Sequence, residues 1–90
     1  MPYIKQAERE QVEVALDFLQ HNLKKAYPDG IPPGMLNYVI TRLILGLVEK
    51  INYTNINAVM GVLACVQAEV YRRVAAEYED KKCAENGDVF

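Results

Sequence analysis

The chain has 90 residues, 51% of them hydrophobic and 24% charged, and its formal net charge is −2. This length corresponds to one domain, and this composition is typical of a globular protein and excludes a disordered one. We therefore expect a single domain over residues 1–90. Because general nucleic-acid-binding proteins are normally basic, we do not expect a nucleic-acid partner.

Residues that commonly bind metals are few, namely Cys65, Cys83 and His21. Zinc sites use about four such ligands in recognisable pairs, and this sequence contains no such pair. The opening letters MPYIKQAEREQ become charged at once, unlike a signal peptide. No apolar run approaches the roughly 18–20 residues that span a bilayer. We expect a cytoplasmic protein with reduced thiols and with no metal, cofactor or membrane partner.

The first predicted helix runs from Gln6 to about Tyr27. Its acidic residues come early and its lysines late, which suits the helix dipole. Pro28 ends it, Asp29-Gly30 indicates a turn, and Pro32-Pro33 holds the chain extended before the next helix. One stripe of the helix is apolar and consists of Val12, Ala15, Leu16, Leu19, Leu23 and Ala26.

The second predicted helix, from about Gly34 to Lys50, is apolar around most of its circumference. A helix on the surface of a globule shows an apolar stripe of about 100°, and this one is roughly twice as wide. Leu45 lies alone on the far side. The helix must therefore be covered from more than one direction. The wide face consists of Met35, Leu36, Val39, Ile40, Leu43, Ile44, Leu47 and Val48.

The third predicted helix is the longest, from Asn55 to about Cys83. Thr54 is its predicted N-cap, with Asn52 as the alternative, and Asn86-Gly87 is the predicted stop. Its core stripe consists of Ile56, Val59, Met60, Leu63, Val66, Val70, Tyr71, Val74 and Tyr78.

A second face of this helix carries small residues, and a glycine inside a helix costs about 1 kcal/mol relative to alanine. Gly61 therefore suggests close packing or a bend. The tail Ala84–Phe90 is expected to be a strap over exposed core or, alternatively, a recognition peptide. Val89 and Phe90 are expected to be docked, within the chain or on a neighbouring chain. The predicted interface residues are Leu45, Gly61, Cys65, Ala68, Val89 and Phe90.

These elements predict an all-α fold, a three-helix up-down-up chain with a long C-terminal helix. Ninety residues offer few elements to cover the second helix, and the third helix has two faces to cover. We therefore expect the chain to complete its core in a homo-oligomeric helical bundle.

Polar residues on the second and third helices form the best candidate for a binding site. Guanidinium groups bind phosphate or carboxylate through paired donors, so one interpretation is an anion or nucleotide site. The alternatives are a structural network of ion pairs and a protein-interface hot spot. The residues are Asn37, Tyr38, Thr41, Arg42, Glu69, Arg72 and Arg73.

Acidic residues near the C-terminus, Glu77, Glu79 and Asp80, raise the question of Mg²⁺ binding. The all-α nucleotide pyrophosphatases use carboxylates at helical spacing, and the final GDVF resembles a fragment of their motif. Because Lys81 and Lys82 follow directly and no second acidic pair is evident, we interpret this segment as a solvated face. His21 is interpreted as a surface residue.

Five segments of the chain form a recognisable set: the opening MPYI, NYVITRL (37–43), GVLAC (61–65), YRRV (71–74) and the ending YEDKKCAENGDVF (78–90). With these segments, the whole chain resembles a family of short proteins of unknown function associated with tailed bacteriophages and prophages. It implies a phage or phage-derived origin and no catalytic residues. Members often carry an aliphatic residue where this chain has Cys83, which argues against a required thiol there.

The leading hypothesis is a small non-enzymatic interaction or regulatory protein that acts as a homo-oligomer in the host cytoplasm. Its expected partners are itself and a host protein. The alternative is a protein that sequesters a nucleotide or another phosphorylated small molecule, as counter-defence proteins do. A third option is a metal-dependent nucleotide hydrolase.

Overall fold

The computed structural model describes residues 2–90, and over these residues the chain is all-helical. The helices are α1 (Gln6–Ala26), α2 (Pro33–Leu47), α3 (Tyr53–Val70) and α4 (Ala76–Asn86). A π-helical turn, Tyr71–Ala75, joins α3 to α4 without a break. The three together form one long helix of 34 residues over positions 53–86. The predicted all-α class, with three helices of which the last is long, is confirmed.

Prolines set the ends of α1 and the start of α2. Tyr27 follows α1 and its N–H still donates to the Leu23 carbonyl, after which Pro28 prevents continuation. Pro32 is extended, with φ −66° and ψ 147°, and Pro33 occupies the first turn of α2, where a missing N–H costs no hydrogen bond.

Helix α2 ends at Leu47, three residues earlier than the predicted Lys50. Val48 is extended, with φ −82° and ψ 101°. The reason lies in the next helix, which begins at Tyr53, two residues earlier than predicted. Residues 48–52 are needed to form the connection, so they cannot continue α2.

Asn52, the predicted alternative, is the N-cap of the long helix in place of Thr54. Its side-chain oxygen accepts a hydrogen bond from the backbone N–H of Asn55 at 2.9 Å, and its backbone is extended. This bond satisfies one of the N–H groups that have no partner inside the helix. Thr54 is already inside the first turn.

The predicted stop at Asn86-Gly87 is confirmed. Gly87 has φ +88°, a conformation that residues with a Cβ rarely adopt, and its N–H donates to the Cys83 carbonyl at 2.9 Å. Beyond it, the N–H of Phe90 donates to the Asp88 carboxylate at 2.8 Å.

The chain divides into two compact units, one of residues 3–51 and one formed mainly by residues 52–90. In the first, α1 and α2 make little contact with each other. An open cavity of about 630 Å³ lies where they meet the connecting turn, lined by Leu23, Tyr27, Ile31 and Leu36 among others. Half-buried residues of this unit are Leu19, Leu23, Tyr27, Ile31, Met35, Val39, Ile44 and Val48.

No residue between positions 2 and 90 is buried. In the second unit, Val59 and Leu63 are only half-buried. A Cβ placed on Gly61 would meet no atom within 4 Å, apart from the backbone of its own helix. Nothing in this unit therefore requires a glycine at that position.

Asn52→Ala should lower the free energy of unfolding by about 1 kcal/mol, because it leaves the Asn55 N–H without its cap. Thr54→Ala is the matched control and should change it by less than about 0.5 kcal/mol. Urea denaturation at one fixed protein concentration measures both. A larger loss for the Thr54 variant would contradict this assignment of the cap.

Candidate functional site

Four of the seven predicted ligand-binding residues lie on two consecutive turns of α2. The Thr41 hydroxyl donates to the Asn37 side-chain oxygen at 3.1 Å, and the Arg42 guanidinium donates to the Tyr38 hydroxyl at 3.4 Å. The Arg42 Cζ lies 5.9 Å from the centre of the Tyr38 ring, within the range of a cation–π contact. Residues four apart on a helix are neighbours, so the helical spacing itself brings these pairs together.

An open cavity of about 510 Å³ lies beside the first turns of α2. It is lined by Pro33, Gly34, Asn37, Tyr38 and Thr41, so three of the predicted residues face it. This surface is open to solvent and is lined by residues of α2 alone. Tyr38 is 54% exposed and offers an aromatic face to a ligand.

The other three predicted residues, Glu69, Arg72 and Arg73, lie on the long helix. Arg72 forms an ion pair with Glu69 at 2.9 Å, across three residues. Both arginines belong to the π turn, in which the Ala76 N–H donates to the Tyr71 carbonyl five residues earlier. The Glu69–Arg72 ion pair corresponds to the structural interpretation of these residues.

Tyr71 and Glu79 interact although they are eight residues apart. The hydrogen bond of the phenol to the Glu79 carboxylate raises the pKa of Tyr71 above its ordinary 10.0, and the negative charge of Glu79 acts in the same direction. In a regular α-helix, residues eight apart differ by about 80° around the axis. The extra residue of the π turn removes most of that difference. Sequence reasoning missed this pair, because no regular helical spacing predicts it.

The predicted interface residues are all exposed. Leu45 is 63% exposed, Val89 90% and Phe90 fully. Both cysteines are free thiols on the surface. Phe90 therefore does not form a strap over a core of this chain. The tail and the last helical turns instead line an open cavity of about 520 Å³ beside Tyr78. The exposed interface residues as a group are Leu45, Gly61, Cys65, Ala68, Val89 and Phe90.

Over positions 2–90, the His, Cys, Asp and Glu side chains form no group of three or more that could hold a metal ion. Glu77 and Glu85 instead contact lysines, at 4.0 Å from Lys81 and 3.1 Å from Lys82. In the same described part of the chain, no helix is long and apolar enough to cross a membrane.

A family model described as a domain of unknown function (DUF6899) matches residues 1–89. The chain belongs to this family. The match covers nearly the whole chain, in agreement with the predicted resemblance to a family of unknown function. Neither the curated proteins nor the solved structures contain a significant match.

Glu79→Gln should lower the pKa of Tyr71 towards 10.0, because it removes the carboxylate charge and weakens the hydrogen bond. A raised pKa favours the protonated phenol in the folded state. The hydrogen bond to Glu79 therefore stabilises the folded state below pH 10. This stabilisation is lost as the pH rises through the pKa of Tyr71 in the folded state.

Phenolate absorbance during an alkaline titration measures this change. Glu77→Gln is the matched control, two residues away, and should leave the titration unchanged. An unchanged titration of the Glu79 variant would contradict the Tyr71–Glu79 hydrogen bond.

Proposed function

We propose that this chain is a small non-enzymatic interaction or regulatory protein that acts as a homo-oligomer, encoded by a phage or prophage and working in the host cytoplasm. The observation that carries the proposal is the surface of the single chain. It exposes 8303 Å² to solvent, and none of the residues that the structure describes is buried. The phage origin is supported by the sequence resemblance.

The exposed area exceeds the average for a folded protein of this mass. A folded protein of 10.2 kDa is expected to expose about 5,300 Å², by the scaling of surface with mass. The single chain therefore exposes an excess of about 3,000 Å². A stable folded state needs this excess to be covered, because burial of apolar surface is the main favourable term in folding.

The excess area corresponds to an obligate assembly. Interfaces of permanent oligomers bury about 2,000–5,000 Å² in total, whereas transient contacts bury less than about 1,200 Å². Coverage of about 3,000 Å² on each chain lies at or above the upper end of the obligate range. Such a chain and its partner fold together.

The exposed surface is also strongly apolar. On α2, the exposed fractions of Leu36, Ile40, Leu43 and Leu47 are 46%, 40%, 45% and 75%. These residues follow one another at intervals of three or four, so they form one stripe. Monomeric soluble proteins rarely expose contiguous apolar patches of more than a few hundred Å². The stripe therefore supports an interface.

Native mass spectrometry of the gently purified protein should show a homo-oligomer at micromolar concentration. Added denaturant should give unfolded chains directly, with no folded monomer as an intermediate. A folded monomer as the main species would contradict the proposal.

A second candidate function is sequestration of a nucleotide or another phosphorylated small molecule. The observation in its favour is the cavity of about 510 Å³ beside Asn37, Tyr38 and Thr41. Arg42 lies next to it, in contact with the Tyr38 ring and hydroxyl. A tyrosine face can stack on a base, and a guanidinium group can bind a phosphate.

Arg42→Ala should weaken binding of a nucleotide by about tenfold or more, because a charge-assisted hydrogen bond contributes roughly 1.5–3 kcal/mol. A panel of mono-, di- and cyclic nucleotides can be screened by the rise in thermal unfolding temperature. The control is Lys24→Ala, which removes a positive charge from α1. If no nucleotide raises the unfolding temperature of the wild type, this candidate function is removed. It is also removed if Arg42→Ala and Lys24→Ala reduce that rise equally.

A further inference from the structure

Five residues of the long helix repeat at the spacing of a coiled coil, and two more continue the stripe. Ile56, Val59, Leu63, Val66 and Val70 follow one another at intervals of three, four, three and four. This repeat places side chains along one side of a helix that packs against another helix. Val74 and Tyr78 continue the stripe at intervals of four. We call these seven residues the apolar seam: Ile56, Val59, Leu63, Val66, Val70, Val74 and Tyr78.

The π turn keeps the last two residues of the seam in line. In a regular repeat, the positions after Val70 would be Arg73 and Glu77. The π turn, Tyr71–Ala75, accommodates one extra residue in the helix. The following positions therefore shift by one, and Val74 and Tyr78 take the places that would otherwise hold two charged side chains. The apolar seam then runs without a charge over residues 56–78, roughly 33 Å.

Five of the seven seam residues are exposed, and Val59 and Leu63 are half-buried. The exposed fractions of Val66, Val70 and Val74 are 52%, 54% and 62%, and Tyr78 is 61% exposed. A seam of this length fits another helix of similar length with the same repeat. The long helix of a second copy has both properties, and the excess surface of about 3,000 Å² per chain is enough for an obligate pair.

We propose that the apolar seam pairs with the apolar seam of a second copy of this chain, with the two long helices antiparallel. This inference rests on the homo-oligomer proposed above and identifies its central contact. Because the same surface serves both chains, the contact is symmetric and closes as a pair.

Two observations favour the antiparallel direction. The segment from Glu77 to Glu85 carries four carboxylates and two lysines, whereas residues 53–68 carry no charge. Parallel helices would place two acidic segments, and the negative ends of two helix dipoles, side by side. Antiparallel helices place each acidic segment near the positive end of its partner.

The side chains of the seam give the second observation. The spacing assigns Ile56, Leu63 and Val70 to the first apolar position of the heptad, and it assigns Val59, Val66 and Val74 to the second. Parallel two-stranded coiled coils favour leucine at the second position. Here all three residues at the second position are valine, which disfavours the parallel dimer.

In an antiparallel pair, each residue at the first apolar position of one helix faces a residue at the second apolar position of its partner. The contacts across the pair are then Leu63 with Val66 at the centre, Val59 with Val70 farther out, and Ile56 with Val74 at each end. Two Ile56 residues lie about 27 Å apart, since 18 residues separate positions 56 and 74 along the helix.

Disulfide trapping tests this register. In a Cys65→Ala, Cys83→Ala background, the variants Ile56→Cys and Val74→Cys are oxidised alone and mixed. Each alone should remain uncrosslinked, and the mixture should give a covalent dimer, because only facing residues reach the Cα separation of about 4.4–6.8 Å that a disulfide requires. A crosslink in Ile56→Cys alone, or none in the mixture, would overturn the proposal.

A charge at the centre of the seam separates this inference from the function proposed above. Leu63→Glu should abolish the oligomer in sedimentation equilibrium, and Ala64→Glu, one residue away and off the seam, should leave it intact. If the wild type is monomeric, both proposals fail. If the wild type and Leu63→Glu are both oligomeric, the chain is an oligomer but the apolar seam is not its central contact.

Discussion

Burial of apolar surface is the constraint on which the rest of this structure depends. An isolated helix is only marginally stable in water, and most helical stability in proteins comes from packing an apolar face. The described residues include no buried side chain, and the single chain exposes 8303 Å². Among the described residues, Leu47 of α2 is 75% exposed and Val74 of the long helix is 62% exposed. The proposed homo-oligomer would cover these side chains.

The helices themselves are specified by local interactions that need no partner. Pro32 and Pro33 start α2, the Asn52 side chain caps the long helix, and Gly87 ends it with a positive φ. Each of these acts within a few residues of the chain. These local interactions set the ends of the helices, and the proposed assembly would determine how their apolar faces pack.

This difference between local interactions and the packing of apolar faces explains which features of the fold the sequence predicts. Three helices, the long last helix and its stop at Asn86-Gly87 were predictable, because proline, glycine and apolar periodicity act locally. The early end of α2 at Leu47 was not, since it depends on where the next helix begins. Asn52 and Thr54 are both good caps, and only the backbone geometry distinguishes them.

In the candidate site, too, regular helical spacing predicts some contacts and not others. The Tyr38–Arg42 and Asn37–Thr41 contacts follow directly from helical spacing. The Tyr71–Glu79 contact depends on the π turn, which regular periodicity does not predict. One signal was present in the sequence: the apolar spacing changes from alternating three and four to four and four at Val70, Val74 and Tyr78. A single extra residue in the helix accounts for that change.

The most direct test is the dependence of the thermal unfolding temperature on protein concentration. If folding and association are one process, the unfolding midpoint of the wild type should rise steadily across a hundredfold increase in concentration, because mass action favours the assembled state. Helix content, measured by circular dichroism, should be lost together with the oligomer. A midpoint that does not change with concentration, at the mass of one chain, would show that the chain folds alone and would contradict an obligate assembly.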